Sequence, residues 1–179
     1  MTTKKLIQPY NPFWPNQFQK IHQLIAHQLK GQILSIEHVG STAVPNLAAK
    51  AIIDIDIVYE NDIFFPAICE GLTQLGYYHN GNQGIPKREA FKRKKQSTSH
   101  PILDTIPHHL YACPQDSPEL QRHLAFRNFL RQHEWARLEY AQLKRKIAAQ
   151  TNQDKAAYSI LKETEANAFI ERILVLAGI

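Results

Sequence analysis

The chain contains 179 residues, 44% of them hydrophobic and 21% charged, with a formal net charge of +5. These values are typical of a folded domain and exclude a disordered chain, and the positive charge suits an anionic ligand without indicating nucleic acid. No apolar run approaches the length of a membrane span, and the first residues lack the apolar core of a signal peptide. Cys69 and Cys113 indicate neither a disulfide framework nor a zinc site, so we expect a cytoplasmic protein with no membrane contact.

The first third of the chain predicts a helix followed by two strands. Apolar side chains recur at helical spacing within residues 11–30, and Gly31 then provides a helix stop. Residues 33–39 and 52–59 are rich in β-branched side chains, which favour strands. The segments that follow predict, in order, a helix, a loop and two strands, over residues 62–75, 79–87, 90–95 and 108–113.

The last third of the chain is almost entirely helix-forming. Ser117 is suited to an N-cap and Pro118 to the first helical position of one long helix or two. A break is expected near residues 151–152, before a last helix from about Asp154. We therefore predict one α+β domain with a small mixed sheet. Its expected parts are a core over residues 1–113 and a helical extension over residues 114–179 that packs on the core.

Two aspartates, Asp54 and Asp56, interrupt the apolar run of the second strand. Side chains alternate faces along a strand, so both carboxylates share one face, about 7 Å apart. Ile52 and Val58 flank them, which indicates that this face is partly covered and argues against a solvated edge strand. Like charges in such a place repel each other and lose hydration. A divalent cation is the simplest compensation, so we predict a Mg²⁺ (or Mn²⁺) site at Asp54 and Asp56.

The turn formed by Gly40 and Ser41 precedes this acidic strand. Glycine lets the backbone approach a ligand closely, and backbone N–H groups beside a hydroxyl bind anions. A plain turn is the alternative for these two residues taken alone. Together with the aspartates, the turn predicts chemistry on a nucleoside triphosphate.

Four segments, in order along nearly the whole chain, resemble the GrpB-like family. They are YNPFWPNQF, IEHVGSTAVPNLAAKAIIDID, HHLYACPQDSPELQRHLAFRNFLRQH and AYSILKETEANAFIERIL. The resemblance implies a nucleotidyltransferase-like (DNA polymerase β-like) fold: a mixed sheet with an N-terminal helix and a helical C-terminal third. In that family glycine often stands where this chain has Asn46, and proline where it has Ala51. Both departures leave the Gly-Ser turn and the aspartates unchanged.

The larger superfamily implied by this resemblance places Gly-Ser after the first strand and Asp-x-Asp on the second, as this chain does. It usually adds a third carboxylate from a later strand. Asp104 is the nearest acid here, but Pro107 separates it from the strand over residues 108–113. His109 on that strand is the candidate replacement. The alternative is a site that has lost catalysis.

Several cations are candidates to bind phosphate groups. Lys50 precedes the acidic strand, and Arg88 or Arg93 from a mainly solvated basic run has the forked donors that phosphate favours. Arg127 and Lys162 lie in segments that resemble the family closely, where they would contact substrate phosphate or form surface ion pairs. Phe91 is the single aromatic residue in the basic run over residues 87–95, so nucleic acid is a possible but not a favoured partner.

The leading hypothesis is a metal-dependent nucleotidyltransferase that uses a nucleoside triphosphate and an acceptor that the sequence does not name. A non-catalytic nucleotide-binding or regulatory module with the same fold is the alternative. The predicted catalytic residues are Asp54, Asp56 and His109, and the predicted nucleotide-binding residues are Gly40, Ser41, Lys50, Arg88, Arg127 and Lys162.

Overall fold

The computed structural model describes residues 5–93 and 100–179 of the protein. Five strands form one mixed sheet: β1 (Ser35–Val39), β2 (Ile53–Tyr59), β3 (Tyr77–His79), β4 (Glu89–Arg93) and β5 (His108–Pro114). Their order across the sheet is β1-β2-β5-β4-β3. The central pair, β2 and β5, is parallel, and the other neighbours are antiparallel. The architecture is therefore the predicted α+β fold with a mixed sheet.

Six α-helices accompany this sheet in the described residues. They are α1 (Trp14–Gln28), α2 (Phe65–Gln74), α3 (Pro118–Gln132), α4 (Glu134–Gln150), α5 (Lys155–Glu165) and α6 (Asn167–Leu176). A single 3-10 turn, Ser41–Ala43, follows β1. Within the part of the chain that the structure describes, none of these helices has the length and apolarity needed to cross a membrane.

Both faces of β2 are covered, which explains why its sequence is apolar almost throughout. Ile53, Ile55 and Ile57 face the core that α1 and α2 form on one side of the sheet. On the other side Val58 packs against Leu120 of α3. The two predicted aspartates therefore lie on an interior strand beneath the helical third, as expected, and a solvated edge strand is excluded.

The helical third contains more breaks than the sequence predicts. Ser117 caps α3 as expected, accepting a hydrogen bond from the Leu120 N–H, and Asp154 caps α5. The chain also leaves helical geometry at His133, which gives the two-helix alternative, and Ala166 separates α5 from α6, which was not predicted. Neither position carries glycine or proline, so tertiary packing sets these breaks.

Two further differences concern the edge of the sheet. Residues 77–79 form β3, which was not predicted: only residue 79 falls in a predicted element, the loop over residues 79–87. The basic segment does form the short strand β4, which ends at Arg93, while Lys94 and Lys95 lie outside the described residues.

Asn46 adopts a left-handed backbone, with φ of +65°, which glycine favours and asparagine tolerates.

Candidate functional site

A cleft of about 620 Å³ lies between one face of the sheet and the helical third. The sheet contributes Asp54 of β2 and His109 of β5, and the turn after β1 contributes Gly40 and Ser41. Helices α3 to α6 close the other side. Most of the predicted site residues therefore meet in one cavity, although they are distributed over more than 120 positions of the sequence. Those lining the cleft are Gly40, Ser41, Lys50, Asp54, Arg88, His109 and Lys162.

Gly40 is required for the close approach of the turn to the acidic strand. Its φ of +69° lies in the left-handed region that disfavours side chains. A Cβ atom at this position would lie 2.3 Å from Oδ2 of Asp54, which is well inside van der Waals contact. The absence of a side chain therefore lets the turn lie directly against the Asp54 carboxylate.

Asp54 and His109 are neighbours on the central strand pair. Their Cα atoms are partners in the parallel register of β2 and β5, and the Nδ1–H of His109 donates to Oδ1 of Asp54 at 2.9 Å. Both side chains keep substantial exposure to the cleft, 31% for Asp54 and 49% for His109. The structure thus brings His109 to the acidic site, which is the placement that a replacement for the third carboxylate requires.

Asp56 is fully buried and has a different partner, His123 of α3. The Nδ1–H of His123 donates to Oδ2 of Asp56 at 2.7 Å, and its Nε2 lies 3.3 Å from Oε1 of Glu119. Burial lowers the pKa of His123, but its two carboxylate partners outweigh this effect and raise the pKa to about 9. His123 is therefore an imidazolium. Its positive charge compensates much of the repulsion between Asp54 and Asp56, a role that the sequence analysis gives to a metal ion alone.

Lys144 of α4 is a second site residue that the sequence analysis missed. Its ammonium group is buried and donates to Oγ of Ser41 at 2.9 Å and to the carbonyl oxygen of Ala48 at 2.6 Å. Its Nζ also lies 4.5 Å from the centre of the Tyr140 ring. Burial holds the pKa of Lys144 well below its ordinary value. The helical third therefore contacts the Gly-Ser turn directly.

Lys50 and Lys162 line the same side of the cleft as Lys144. The Lys50 ammonium donates to Oγ of Ser159 at 3.3 Å and lies 4.8 Å from the centre of the Tyr158 ring. Burial, together with the neighbouring Lys162, lowers the pKa of Lys50. The three lysines lie together beside the Gly-Ser turn, and we call them the lysine wall.

Arg88 also lines the cleft, on the side of β4, and its guanidinium lies 4.5 Å from the centre of the Tyr111 ring. Of the two arginines considered in the basic run, the structure brings only Arg88 here. Arg93 instead forms an ion pair with Asp104 at 2.6 Å. This pair also explains why Asp104 supplies no third carboxylate.

Arg127 does not reach the cleft lining. Its guanidinium donates to Oε2 of Glu37 and to the carbonyl oxygen of His38, both at 2.9 Å. The ion-pair alternative therefore describes the observed position of Arg127. It joins α3 to β1, and Glu37 is engaged in the same contact.

The two aspartates fit a magnesium ion only together with a ligand. Among residues 5–93 and 100–179, no group of three or more histidine, cysteine, aspartate or glutamate side chains is arranged to hold a metal. Oδ1 of Asp56, however, is buried without a hydrogen-bond partner in these residues, and Asp54 faces the cleft. Mg²⁺ in proteins is commonly bound by one or two carboxylates, while substrate phosphate and water fill its remaining coordination positions.

The sheet order, the Gly-Ser turn after β1 and the two aspartates on β2 define a nucleotidyltransferase-like fold. The Cid1 poly(U) polymerase bound to MgATP superposes on this chain with a TM-score of 0.50 and 11% sequence identity, over 79% of this chain and 41% of that one. At such low identity the likeness shows the fold alone.

The chain belongs to the GrpB protein family, whose sequence profile matches residues 5–175. The crystal structure of the conserved protein GrpB from Enterococcus faecalis superposes with a TM-score of 0.77 and 31% identity, covering 96% of both chains. The UPF0157 protein YqkA of Bacillus subtilis is 33% identical over 141 residues. That match covers 79% of this chain but only 39% of YqkA, so the chain spans well under half of this relative.

Proposed function

We propose that the cleft binds a nucleoside triphosphate with Mg²⁺ or Mn²⁺ and transfers its nucleotidyl group to an acceptor hydroxyl. One observation carries this proposal: the Gly40 backbone lies directly against the Asp54 carboxylate, within a cleft that has the lysine wall on the same side. A phosphate group placed there is close both to cationic donors and to a carboxylate able to share a metal with it.

The lysine wall accounts for phosphate binding in this proposal. Lys50 and Lys162 line the cleft, with Lys162 held against Tyr140, so both would contribute positive charge beside a bound phosphate group. Lys144 is buried and acts through Ser41, whose hydroxyl it holds at 2.9 Å. Binding of phosphate to a hydroxyl that is already held in place loses less conformational entropy than binding to a mobile hydroxyl.

Asp54 and Asp56 would hold the metal. A bound divalent cation supplies neutralisation of phosphate charge and orientation of the attacking and leaving oxygens. Asp56 contributes through its unpartnered Oδ1, while Oδ2 stays with His123. His109 fixes the orientation of Asp54 through the 2.9 Å hydrogen bond and also lines the cleft.

A second candidate function, a nucleotide-binding module without catalysis, is favoured by the histidine pairs. Asp54 and Asp56 each have a histidine partner, and His109 replaces an acidic residue on β5. Fewer negative charges then remain for two metal ions, while triphosphate binding by the turn and the lysine wall is unaffected. We place either function in the cytoplasm, where free thiols such as Cys69 and Cys113 stay reduced and nucleotides are abundant.

The test is incubation of the protein with α-labelled triphosphates, Mg²⁺ and a panel of acceptors that includes small metabolites and tRNA. Asp54→Asn keeps the shape of the side chain and removes its charge, so transfer should fall far more than nucleotide affinity. Glu139→Gln, at a surface ion pair, is the control and should behave as the wild type. Tight metal-dependent binding without transfer to any acceptor would favour the second function.

A further inference from the structure

Arg88 lies in the cleft with an Nε donor that none of the described residues accepts. Its side chain is only 12% exposed, and its Nε is buried without a partner among residues 5–93 and 100–179. Within the same residues, Oε1 of Glu119 lies 3.9 Å from Nη1, beyond hydrogen-bonding distance. A guanidinium that has lost water in this way is costly unless a ligand supplies acceptors.

Glu119 does not satisfy Arg88 because it is engaged elsewhere. One of its oxygens lies 3.3 Å from Nε2 of His123, and the other lies 3.6 Å from Nε of Arg122. Arg122 in turn donates to Glu171 at 2.6 Å. The charges around Arg88 are therefore mostly paired with one another, and among the described residues no carboxylate lies within hydrogen-bonding distance of its guanidinium.

The Arg88 guanidinium is positioned by an aromatic ring, and it follows a strained backbone position. Its guanidinium stacks on Tyr111, at 4.5 Å from the ring centre. Lys87, immediately before it, holds a left-handed backbone with φ of +57°, which a side chain adopts only at an energetic cost. Such strain is often retained where it orients a functional group. The guanidinium is thus oriented before any ligand arrives.

Arg88 and the lysine wall lie on opposite sides of the Asp54 carboxylate. Ser41 follows β1, Asp54 is on β2 and Arg88 immediately precedes β4, in a sheet ordered β1-β2-β5-β4-β3. Three strand spacings separate the first and last of these backbones, roughly 14 Å. One phosphate chain held at Ser41 leaves the Arg88 side of the cleft to another molecule.

We propose that Arg88, stacked on Tyr111, is an anion subsite that binds a carboxylate or phosphate group of a small acceptor, opposite the nucleotide. The forked donors of arginine match both groups bidentately. The subsite lies inside a cleft of about 620 Å³, which has the size of a small-molecule site. Its role as an acceptor site rests on the proposed nucleotidyl transfer, whereas its capacity to bind an anion does not.

The direct test is the NMR signal of the Arg88 Nε–Hε group, assigned with Arg88→Lys and titrated with inorganic phosphate and with acetate. We expect a saturable shift with at least one anion, and the anion that causes it identifies the class. Arg172, at a surface ion pair, is the control and should not shift in the same range. An unmoved Arg88 signal, or equal shifts for both arginines, would overturn the proposal.

Repeating the titration in Gly40→Val separates this subsite from the nucleotide site. The Arg88 shift should persist there, since the substitution lies on the other side of the cleft. If a non-hydrolysable triphosphate with Mg²⁺ shifts Arg88 and abolishes the response to small anions, Arg88 belongs to the nucleotide site and the acceptor assignment is wrong. If the wild type binds no triphosphate while the Arg88 shift remains, the proposed function fails and the anion subsite stands.

A kinetic arm tests the acceptor directly, with glycerol, glycerate and glycerol 3-phosphate as matched hydroxyl compounds. In wild type we expect an anionic member to be the better acceptor. Arg88→Gln should raise its KM about tenfold or more, as loss of a charge-assisted contact does, without changing the nucleotide KM. Equal use of glycerol and both anionic compounds by an active enzyme would contradict the assignment.

Discussion

The ammonium group of Lys144 lies 2.9 Å from the hydroxyl oxygen of Ser41, so the fourth helix supports the turn proposed to bind phosphate. The same ammonium donates to the carbonyl oxygen of Ala48, which ties down the connector after that turn. The helical third is therefore part of the site as well as a cover for the sheet. Four predictions follow from this site and the acidic pair beside it, each with its own measurement.

Lys144→Met should weaken nucleotide binding about tenfold or more, because it removes a charged donor and the support of Ser41. The melting temperature should change little, since a buried charge that is costly to desolvate is removed together with its hydrogen bonds. Lys146→Met, at an exposed position of the same helix, is the matched control. Isothermal titration with a non-hydrolysable triphosphate measures both. Equal affinity of the two variants would show that the turn needs no support from Lys144.

Gly40→Ala should destabilise the protein more than Gly81→Ala. Both glycines have a positive φ, +69° and +70°, but Gly40 combines it with ψ of −169°, a conformation essentially restricted to glycine. At Gly40 the new Cβ also collides with Asp54, whereas at Gly81 no atom of the described residues lies within 4 Å. Urea unfolding of the two variants measures the difference. Equal losses of unfolding free energy would mean that the turn and Asp54 are not in contact.

The His123–Asp56 pair should make stability depend on pH in metal-free protein. The folded pKa of His123, about 9, lies above the unfolded value of about 6.5. Its contribution is therefore complete below pH 6.5 and is lost as the pH rises through 9. The loss amounts to about 3 kcal/mol at most.

Urea unfolding at pH 6 to 10 in the presence of a chelator measures this loss. His123→Gln should abolish the fall in unfolding free energy over that window, because glutamine does not titrate. His27→Gln, at an exposed position of α1, should keep the wild-type profile. A wild-type profile parallel to that of His123→Gln would show that His123 is not charged in the folded protein.

The contrast between predicted and missed residues has a physical cause. Strand alternation alone puts Asp54 and Asp56 on one face, and pairing of β2 with β5 then brings His109 beside Asp54. His123 and Lys144 lie on helices whose rotation against the sheet is a tertiary property. Lys144 nevertheless carries a weak signal in the sequence. It lies four residues after Tyr140 and three before Ile147, on the buried face of α4. A charged residue at such a position indicates a buried partner.

The arginines show the same limit of prediction from sequence, because the sequence offers more candidates than the fold brings to the cleft. The basic run offers Arg88 or Arg93, and the family resemblance offers Arg127, as candidates for phosphate binding. Only the fold separates them, because Asp104 and Glu37 lie beside the latter two. Partner choice among surface cations depends on residues distant in sequence, and no local pattern reveals it.

Magnesium should stabilise the protein mainly in the presence of nucleotide. Both aspartates already have histidine partners, and the coordination sphere is complete only when phosphate oxygens are supplied. The rise in melting temperature with Mg²⁺ and a non-hydrolysable triphosphate together should exceed the sum of the separate rises. Asp54→Ala should remove that excess. An additive response in wild type would argue against a shared metal and phosphate site.

The most direct measurement of the central claim is a crystal structure of the protein with Mn²⁺ and a non-hydrolysable nucleoside triphosphate, in which anomalous scattering locates the metal. We predict an anomalous peak in contact with the carboxylates of Asp54 and Asp56, and phosphate density at Ser41 beside the lysine wall. Nucleotide bound elsewhere, or a triphosphate at Ser41 with no metal at either aspartate, would contradict the claim that these residues form a nucleotidyltransferase site.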